Sequence, residues 1–263
     1  MELWFQNLCL LWGIALVLWC LSVKLKDSSI VDMFWGMFFV VSAWHFLMHV
    51  PFITKRAILI TFCTTLWGLR LSGYIFVRNF KKGEDKRYAA MRSNDPEKYW
   101  WKSLFKIFLL QSTLASVLCL PMYLGITSVN SPLRWFEFFG LALFYFGFLW
   151  EAQADWQLSQ FKLNRKDKNE ILNEGLWALS RHPNYFGEII LWYGFAGIVL
   201  STPQSWMAVL AAISMNCLII YFSGVKPLEK LMTSRESKYY DYIQSVPVLV
   251  PWKIFSKKST IKK

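Results

Sequence analysis

Seven long apolar runs constrain this chain more than anything else in it. They occupy roughly residues 4–23, 30–52, 57–77, 104–127, 134–154, 184–201 and 205–223 of 263. An α-helix rises about 1.5 Å per residue, so roughly 20 residues cross a hydrocarbon core about 30 Å thick. Most of the runs reach that length, and 184–201, which is shorter, is expected to begin at the interface. The expected fold is all-α: a polytopic membrane bundle of about seven transmembrane helices. It forms one integral membrane domain over 1–253, with a basic tail over 254–263. The first run has Glu2 and no cation before it, and no small-residue cleavage site follows, so it reads as a span and not as a signal peptide.

Charge orients the bundle. Of 29 Lys and Arg residues, 25 fall in the loops after odd-numbered runs and in the tail. Lys55, Arg56 and Arg134 fall on the other side, and Arg70 lies inside a run. The positive-inside rule then puts the N-terminus outside and the C-terminus in the cytoplasm. The net charge of +12 serves topology and attraction to anionic headgroups. Basic loops without interleaved aromatics argue against nucleic acid, and leave membrane lipids as the partners that the charge implies. Cys9, Cys20, Cys63, Cys119 and Cys217 all lie in apolar runs, and no Cys-x-x-Cys occurs. Buried inert thiols are expected, not disulfides or metal ligands.

Polar side chains at the membrane mark the candidate site, because burying them is costly unless they are paired. The densest case is Ser180-Arg181-His182-Pro183-Asn184-Tyr185-Phe186-Gly187-Glu188. Pro183 suits the first turn of a helix, where its missing N–H is not needed. Asn184 and Glu188 then share a face with Trp192, and the helix N-terminus offers free amides to an anion. Glu151 and Asp155 stand one turn apart near the C-terminal end of their helix, where acids gain nothing from the dipole. They read as acceptors for an amide, ribose or amine, with a salt bridge to Arg70 or Arg181 as the alternative.

Arg70, Tyr74 and Arg78 form a stripe at spacings of four that suits an anionic group descending from the cytosol. The loops at 81–88 and 162–170 together suit a phosphate clamp. Asp32 and Trp35 share one face of the second helix. His45 and His49 share another, but no carboxylate accompanies them, so packing among aromatics is expected and no metal. There is no Gly-x-Gly-x-x-Gly, Walker loop or Ser-His-Asp spacing, which excludes a soluble-type nucleotide fold.

From about Trp67 to Trp252 the chain resembles the bacterial membrane proteins grouped with the steroid 5α-reductase C-terminal domain, relatives of the isoprenylcysteine carboxyl methyltransferase-like enzymes. The likeness rests on Trp67-Gly68-Leu69-Arg70, Asp85 with Arg87-Tyr88, Gly175-Leu176-Trp177, Ser180 to Glu188, and Tyr239-x-x-Tyr242 before Pro251-Trp252. Asp32-x-x-Trp35-Gly36 extends it toward the N-terminus. The resemblance implies a multi-pass protein, of the inner membrane if bacterial, that binds NADPH from the cytoplasmic side. Its activity would be reduction of the C=C bond of a hydrophobic α,β-unsaturated ketone, steroid-like or isoprenoid.

Glu188 matches that family's carbonyl-facing glutamate, and Tyr74 follows at a tyrosine position; these are the catalytic candidates. Asn184 and Asp155 match cofactor-binding residues, Arg70 a cofactor-side arginine, and Lys162 stands where the family has arginine. Arg181, His182, Tyr185, Tyr239 and Tyr242 complete the cofactor site that the resemblance implies. The family's Gln-Glu element has no counterpart between Ser28 and Phe52, its catalytic tyrosine aligns with Trp67, and Glu151 replaces an asparagine. These departures point away from a steroid as the natural substrate. The competing reading is an S-adenosylmethionine-dependent methyltransferase acting on a membrane lipid or lipidated substrate. Such enzymes share an Arg-His-Pro-x-Tyr element and an acidic pair near the final helix, of which Glu229-Lys230 keeps half. A non-catalytic lipid-binding protein is the third reading, and the intramembrane polar cluster speaks against it.

Overall fold

The computed structural model describes residues 2–80, 82–128, 132–167, 170–233 and 237–252, and every regular element among them is helical. A helix lies along each of the seven apolar runs. Glu2–Leu25, Lys55–Asn79 and Trp206–Lys230 are long and apolar enough to cross a membrane. Tyr99–Leu118 and Leu120–Thr127, bent by 43°, make a fourth crossing if they count as one span. Large exposed side chains such as Phe5, Val17, Phe62 and Phe222 lie on these helices, which suits lipid better than water. The chain divides into two compact units, residues 1–139 with 195–211, and residues 140–194 with 212–263. The tail at 254–263 lies outside the described residues.

In the first unit, α1 (Glu2–Leu25) buries Asn7, Leu8, Leu11, Ala15, Leu18 and Ser22, whose spacing of three and four makes one stripe. Trp4 Nε1 donates to Ser116 O at 3.0 Å, Trp12 Nε1 to Thr113 Oγ1 at 2.9 Å, and Trp19 Nε1 to Trp100 O at 2.7 Å. Between apolar helices in lipid, such bonds and close packing supply the cohesion that water supplies elsewhere.

The second apolar run departs from expectation. It forms two helices, α2 (Ile30–Met33) and α3 (Trp35–His49), broken at Phe34, where ψ is 0°. Asp32 and Trp35 therefore sit on separate elements. Next, α3 meets α4 (Lys55–Asn79) backbone to backbone: a Cβ on Gly36 would lie 2.4 Å from Gly68 O. Only glycine permits that approach.

The segment leading into α5 (Lys86–Asn94) is fastened to the turn before α2 by the Glu84 carboxylate and the Asp85 backbone, and α5 itself is held to α2 by Asp32. Glu84 accepts from Ser28 N at 2.9 Å and from Arg92 at 2.8 and 2.9 Å. Asp85 N donates to Ser29 Oγ at 2.6 Å, and the Asp85 carboxylate accepts from Arg87 at 3.0 Å. Asp32 accepts from Tyr88 Oη at 2.7 Å, Arg87 Nη2 at 2.9 Å and Gln111 Nε2 at 3.3 Å. Arg87, one cation of the expected phosphate clamp, is thus committed to acids; Lys81 lies outside the described residues. The chain continues through α6 (Tyr99–Ser103), a π-helical stretch (Leu104–Leu109) and α7 (Leu110–Leu118). It kinks at Cys119 before α8 (Leu120–Thr127), where Pro121 has no N–H for the preceding turn. Arg56 and Glu137 form a closed pair at 2.7 Å, their side chains 1% and 0% exposed, joined by Ser201 Oγ and Pro132 O.

The second unit holds most of α9 (Glu137–Asn164), the first three turns of α10 (Pro183–Ile198) and the end of α11 (Trp206–Cys217). A π-helical stretch (Leu218–Ser223), α12 (Val225–Thr233) and α13 (Ser237–Ser245) follow. Here α9 and α10 touch through glycine: a Cβ on Gly147 would lie 2.5 Å from Gly187 O, and one on Gly187 2.6 Å from Glu151 N. All five cysteines are free; Cys63 and Cys119 are buried as expected, whereas Cys9, Cys20 and Cys217 are exposed. Those three fall on helix faces outside the packed stripe, a choice that membership of an apolar run does not reveal.

Candidate functional site

A bracket in the second unit positions the signature. Gly175 opens a 3-10 turn (Gly175–Ala178) at φ +57°, a left-handed conformation that favours glycine, and it lies against the end of the Gln157 side chain. Gln157 Oε1 accepts from Leu176 N at 3.0 Å, and Trp177 Nε1 donates to Ala154 O at 3.1 Å. Tyr242 Oη donates to Trp177 O at 2.6 Å. The Gly-Leu-Trp motif thereby ties α9 to α13. Ser180 Oγ donates to Leu249 O at 2.7 Å, and Arg181 N to Pro247 O at 2.9 Å, which fixes the entry into α10.

Arg181 and His182, just ahead of α10, converge on one carboxylate of α12. Arg181 Nη1 donates to Glu229 Oε2, and His182 Nε2 lies 2.8 Å from Glu229 Oε1. Tyr239 Oη donates to the same Oε1 at 2.8 Å. Burial, and then the Glu229 carboxylate, hold the Tyr239 hydroxyl protonated well above its usual range. The His182 ring stacks on Tyr185 at 5.7 Å, and Tyr185 packs so closely on Gly224 that a Cβ there would come within 2.9 Å of the ring. Arg181 and His182 are 7% and 6% exposed, so the charged cluster is withdrawn from solvent.

On the first turn of α10, Asn184 Nδ2 donates to Asp155 Oδ1 at 3.3 Å. Asp155 and Glu151 are 3% and 2% exposed. Glu188 follows one turn beyond Asn184 on the same face, half-buried. Asp155, Arg181, His182, Asn184, Tyr185, Tyr239 and Tyr242 are therefore gathered around the start of α10. Lys162 is exposed on the last turn of α9. Arg70 and Tyr74 are half-buried on α4 of the first unit, with the Arg78 guanidinium 5.8 Å from the Tyr74 ring centroid. Trp67, where the steroid enzymes' tyrosine aligns, is fully buried against Phe39 at 5.3 Å. It fills the apolar core and brings no phenol there.

The salt bridge of Arg181 goes to Glu229, not to Glu151 or Asp155. Glu229, legible in the sequence only as half of an incomplete acidic pair, is the carboxylate that Arg181, His182 and Tyr239 share. The available signal was weak: it is the one acid of α12, between Lys226 and Lys230. In chemical terms the arrangement supplies a protonated phenol, an amide–carboxylate pair, a neutralised guanidinium and a carboxyl one turn deeper.

The family described as a protein of unknown function, DUF1295, matches residues 18–246. The chain belongs to the DUF1295 family. This family includes steroid 5-alpha reductase-like proteins. The DUF1295 match runs from α1 to the end of α13 and takes in every site residue named above. Uncharacterized protein C594.04c of Schizosaccharomyces pombe is 28% identical over 221 residues, covering 72% of this chain and 63% of that protein. The chain therefore spans less than two thirds of that relative's length. No solved structure matches the chain.

Proposed function

We propose that this DUF1295 protein is an NADPH-dependent membrane reductase of seven helices, with its N-terminus outside and its C-terminus in the cytoplasm. It reduces the C=C bond of a hydrophobic α,β-unsaturated ketone, steroid-like or isoprenoid. The observation that carries this reading is the Asn184–Asp155 hydrogen bond. It turns one face of α10 toward the acids of α9 and sets Glu188 one turn deeper on that face. The reading requires a protonated Glu188, because only the neutral acid donates to the oxygen of a developing enolate. A donor aimed at charge that forms in the transition state contributes about 3–4 kcal/mol.

The residues present suit a dinucleotide. Arg181 Nε is buried with no acceptor among the described residues, and the first turn of α10 leaves backbone amides beside it. Both suit a phosphate oxygen. Asp155 and Asn184 offer an acceptor and a donor to a carboxamide, and His182, Tyr185, Tyr239 and Tyr242 wall the region. Bound NADPH would supply the hydride for the β-carbon and leave as NADP⁺, and the α-carbon would take its proton from solvent. Arg70, Tyr74 and Lys162 enter the reading through the resemblance alone. The direct test is Glu188→Gln: turnover of an enone is expected to fall at least 100-fold with NADPH affinity nearly unchanged. Equal turnover in that variant would sink the assignment.

One observation favours methyl transfer from S-adenosylmethionine. Glu229, at the position of the methyltransferases' acidic pair, holds both Arg181 and His182. Binding of S-adenosylmethionine but not NADPH by the purified protein would replace the first reading with the second.

A further inference from the structure

Ligand-type side chains also gather far from the signature, at the end of α3. His45 and His49 stand on its last two turns, four residues apart and so on one face. Their ring centroids are 4.4 Å apart with planes inclined at 45°. His49 Nδ1 lies 2.7 Å from the His45 carbonyl oxygen. A carbonyl only accepts, so Nδ1 carries the proton and Nε2 of the neutral ring keeps its lone pair. Metal-binding histidines fix their tautomer through this kind of outer contact.

His49 is exposed, which gives a solute access. His45 Nε2 is buried and completes no hydrogen bond among the described residues, although the Leu3 backbone approaches that ring. The helix stops at Val50 in an extended conformation, leaving the negative end of its dipole beside the rings.

We propose that His45 and His49 form a two-imidazole site for a divalent d-block cation of the nickel, copper or zinc class. Rings on consecutive turns with centroids 4.4 Å apart can take neighbouring positions on one ion once the His45 ring turns its Nε2 outward, and water fills the others. No group of three or more His, Cys, Asp or Glu side chains suited to a metal occurs among the described residues. The site is therefore an exchangeable one, and copper binds it most tightly by the Irving–Williams order. The missing carboxylate argued against a metal at the level of sequence. The fixed tautomer of His49 and the idle nitrogen of His45 are what the fold adds. This site stands or falls independently of the reductase reading.

The test uses the full chain in detergent, stripped with chelator and unfolded thermally with NiCl2 or ZnCl2, and with MgCl2 as the control. An ion that binds only the folded state raises apparent stability by mass action. Nickel and zinc are expected to raise the unfolding temperature and magnesium to leave it unchanged. His49→Ala, at an exposed position, is expected to weaken apparent nickel affinity at least tenfold, and His45→Gln to do the same. The chain has 3 histidines, and His182→Gln, which removes the third, should retain nickel binding. No stabilisation by millimolar nickel or zinc, or stabilisation that survives His49→Ala, overturns the proposal.

Discussion

At the scale of single residues, the energetics turn on two carboxylates. Glu137 is fully enclosed with Arg56, and removing one member of a buried pair leaves an uncompensated charge. Glu137→Ala should therefore lower unfolding stability by about 3–5 kcal/mol, whereas Arg56→Met with Glu137→Leu should recover most of that loss. Denaturant unfolding of both variants checks this, and an equal loss in the two would contradict it. Glu229 is 19% exposed, so solvent screens part of its pairing with Arg181. Glu229→Gln should cost less, about 2 kcal/mol. The signature from Ser180 to Glu188 was legible in the sequence because ionisable groups at a membrane need an explanation. Glu229 was not, since an acid on a short amphipathic helix looks solvated until the fold brings Arg181 and His182 to it. Arg56 was legible only as a loop cation, because its partner lies 81 positions away.

At the scale of elements, the seven runs announced their helices, but two breaks within them differ in how they could be read. Pro121 signals the kink at Cys119, whereas nothing in the apolar sequence around Phe34 signals the end of α2. The glycine contacts were equally silent, since only three-dimensional packing separates Gly147 from Gly13. Gly147→Ala should destabilise by about 1–3 kcal/mol through overpacking, because its Cβ would press on the α10 backbone. Gly13 has nothing within 4 Å of an added Cβ. Gly13→Ala should stabilise α1 slightly, by about 0.5–1 kcal/mol. A loss at both positions in thermal unfolding would refute the distinction.

The fastening of α5 carries a pH dependence. Burial alone would raise the Glu84 and Asp85 carboxyls. Hydrogen bonds and charge from Arg92 and Ser28 on Glu84, and from Arg87 on Asp85, outweigh burial and hold both below the usual carboxylate range. For depressed carboxyls the stabilisation is complete above the unfolded pKa and is lost as pH falls through the folded value. Amide exchange in α5, corrected for its intrinsic pH dependence, should therefore gain on that of α4 between about pH 5 and about pH 3. A constant ratio between the two helices would contradict the fastening.

At the scale of the whole molecule, apolar length, charge asymmetry and the buried polar start of α10 describe one object: a membrane helical protein with a recessed polar site in its second unit. The DUF1295 match covers nearly all of it. The proposed reductase activity requires that this site take NADPH. Thermal unfolding of the purified full chain with NADPH, NADH, S-adenosylmethionine or no ligand tests it most directly, since a ligand of the folded state must raise apparent stability. A rise is expected with NADPH, smaller in Asp155→Ala, and none with S-adenosylmethionine. A rise with S-adenosylmethionine alone, or no rise with any of them in protein shown to be folded, would contradict the reductase reading.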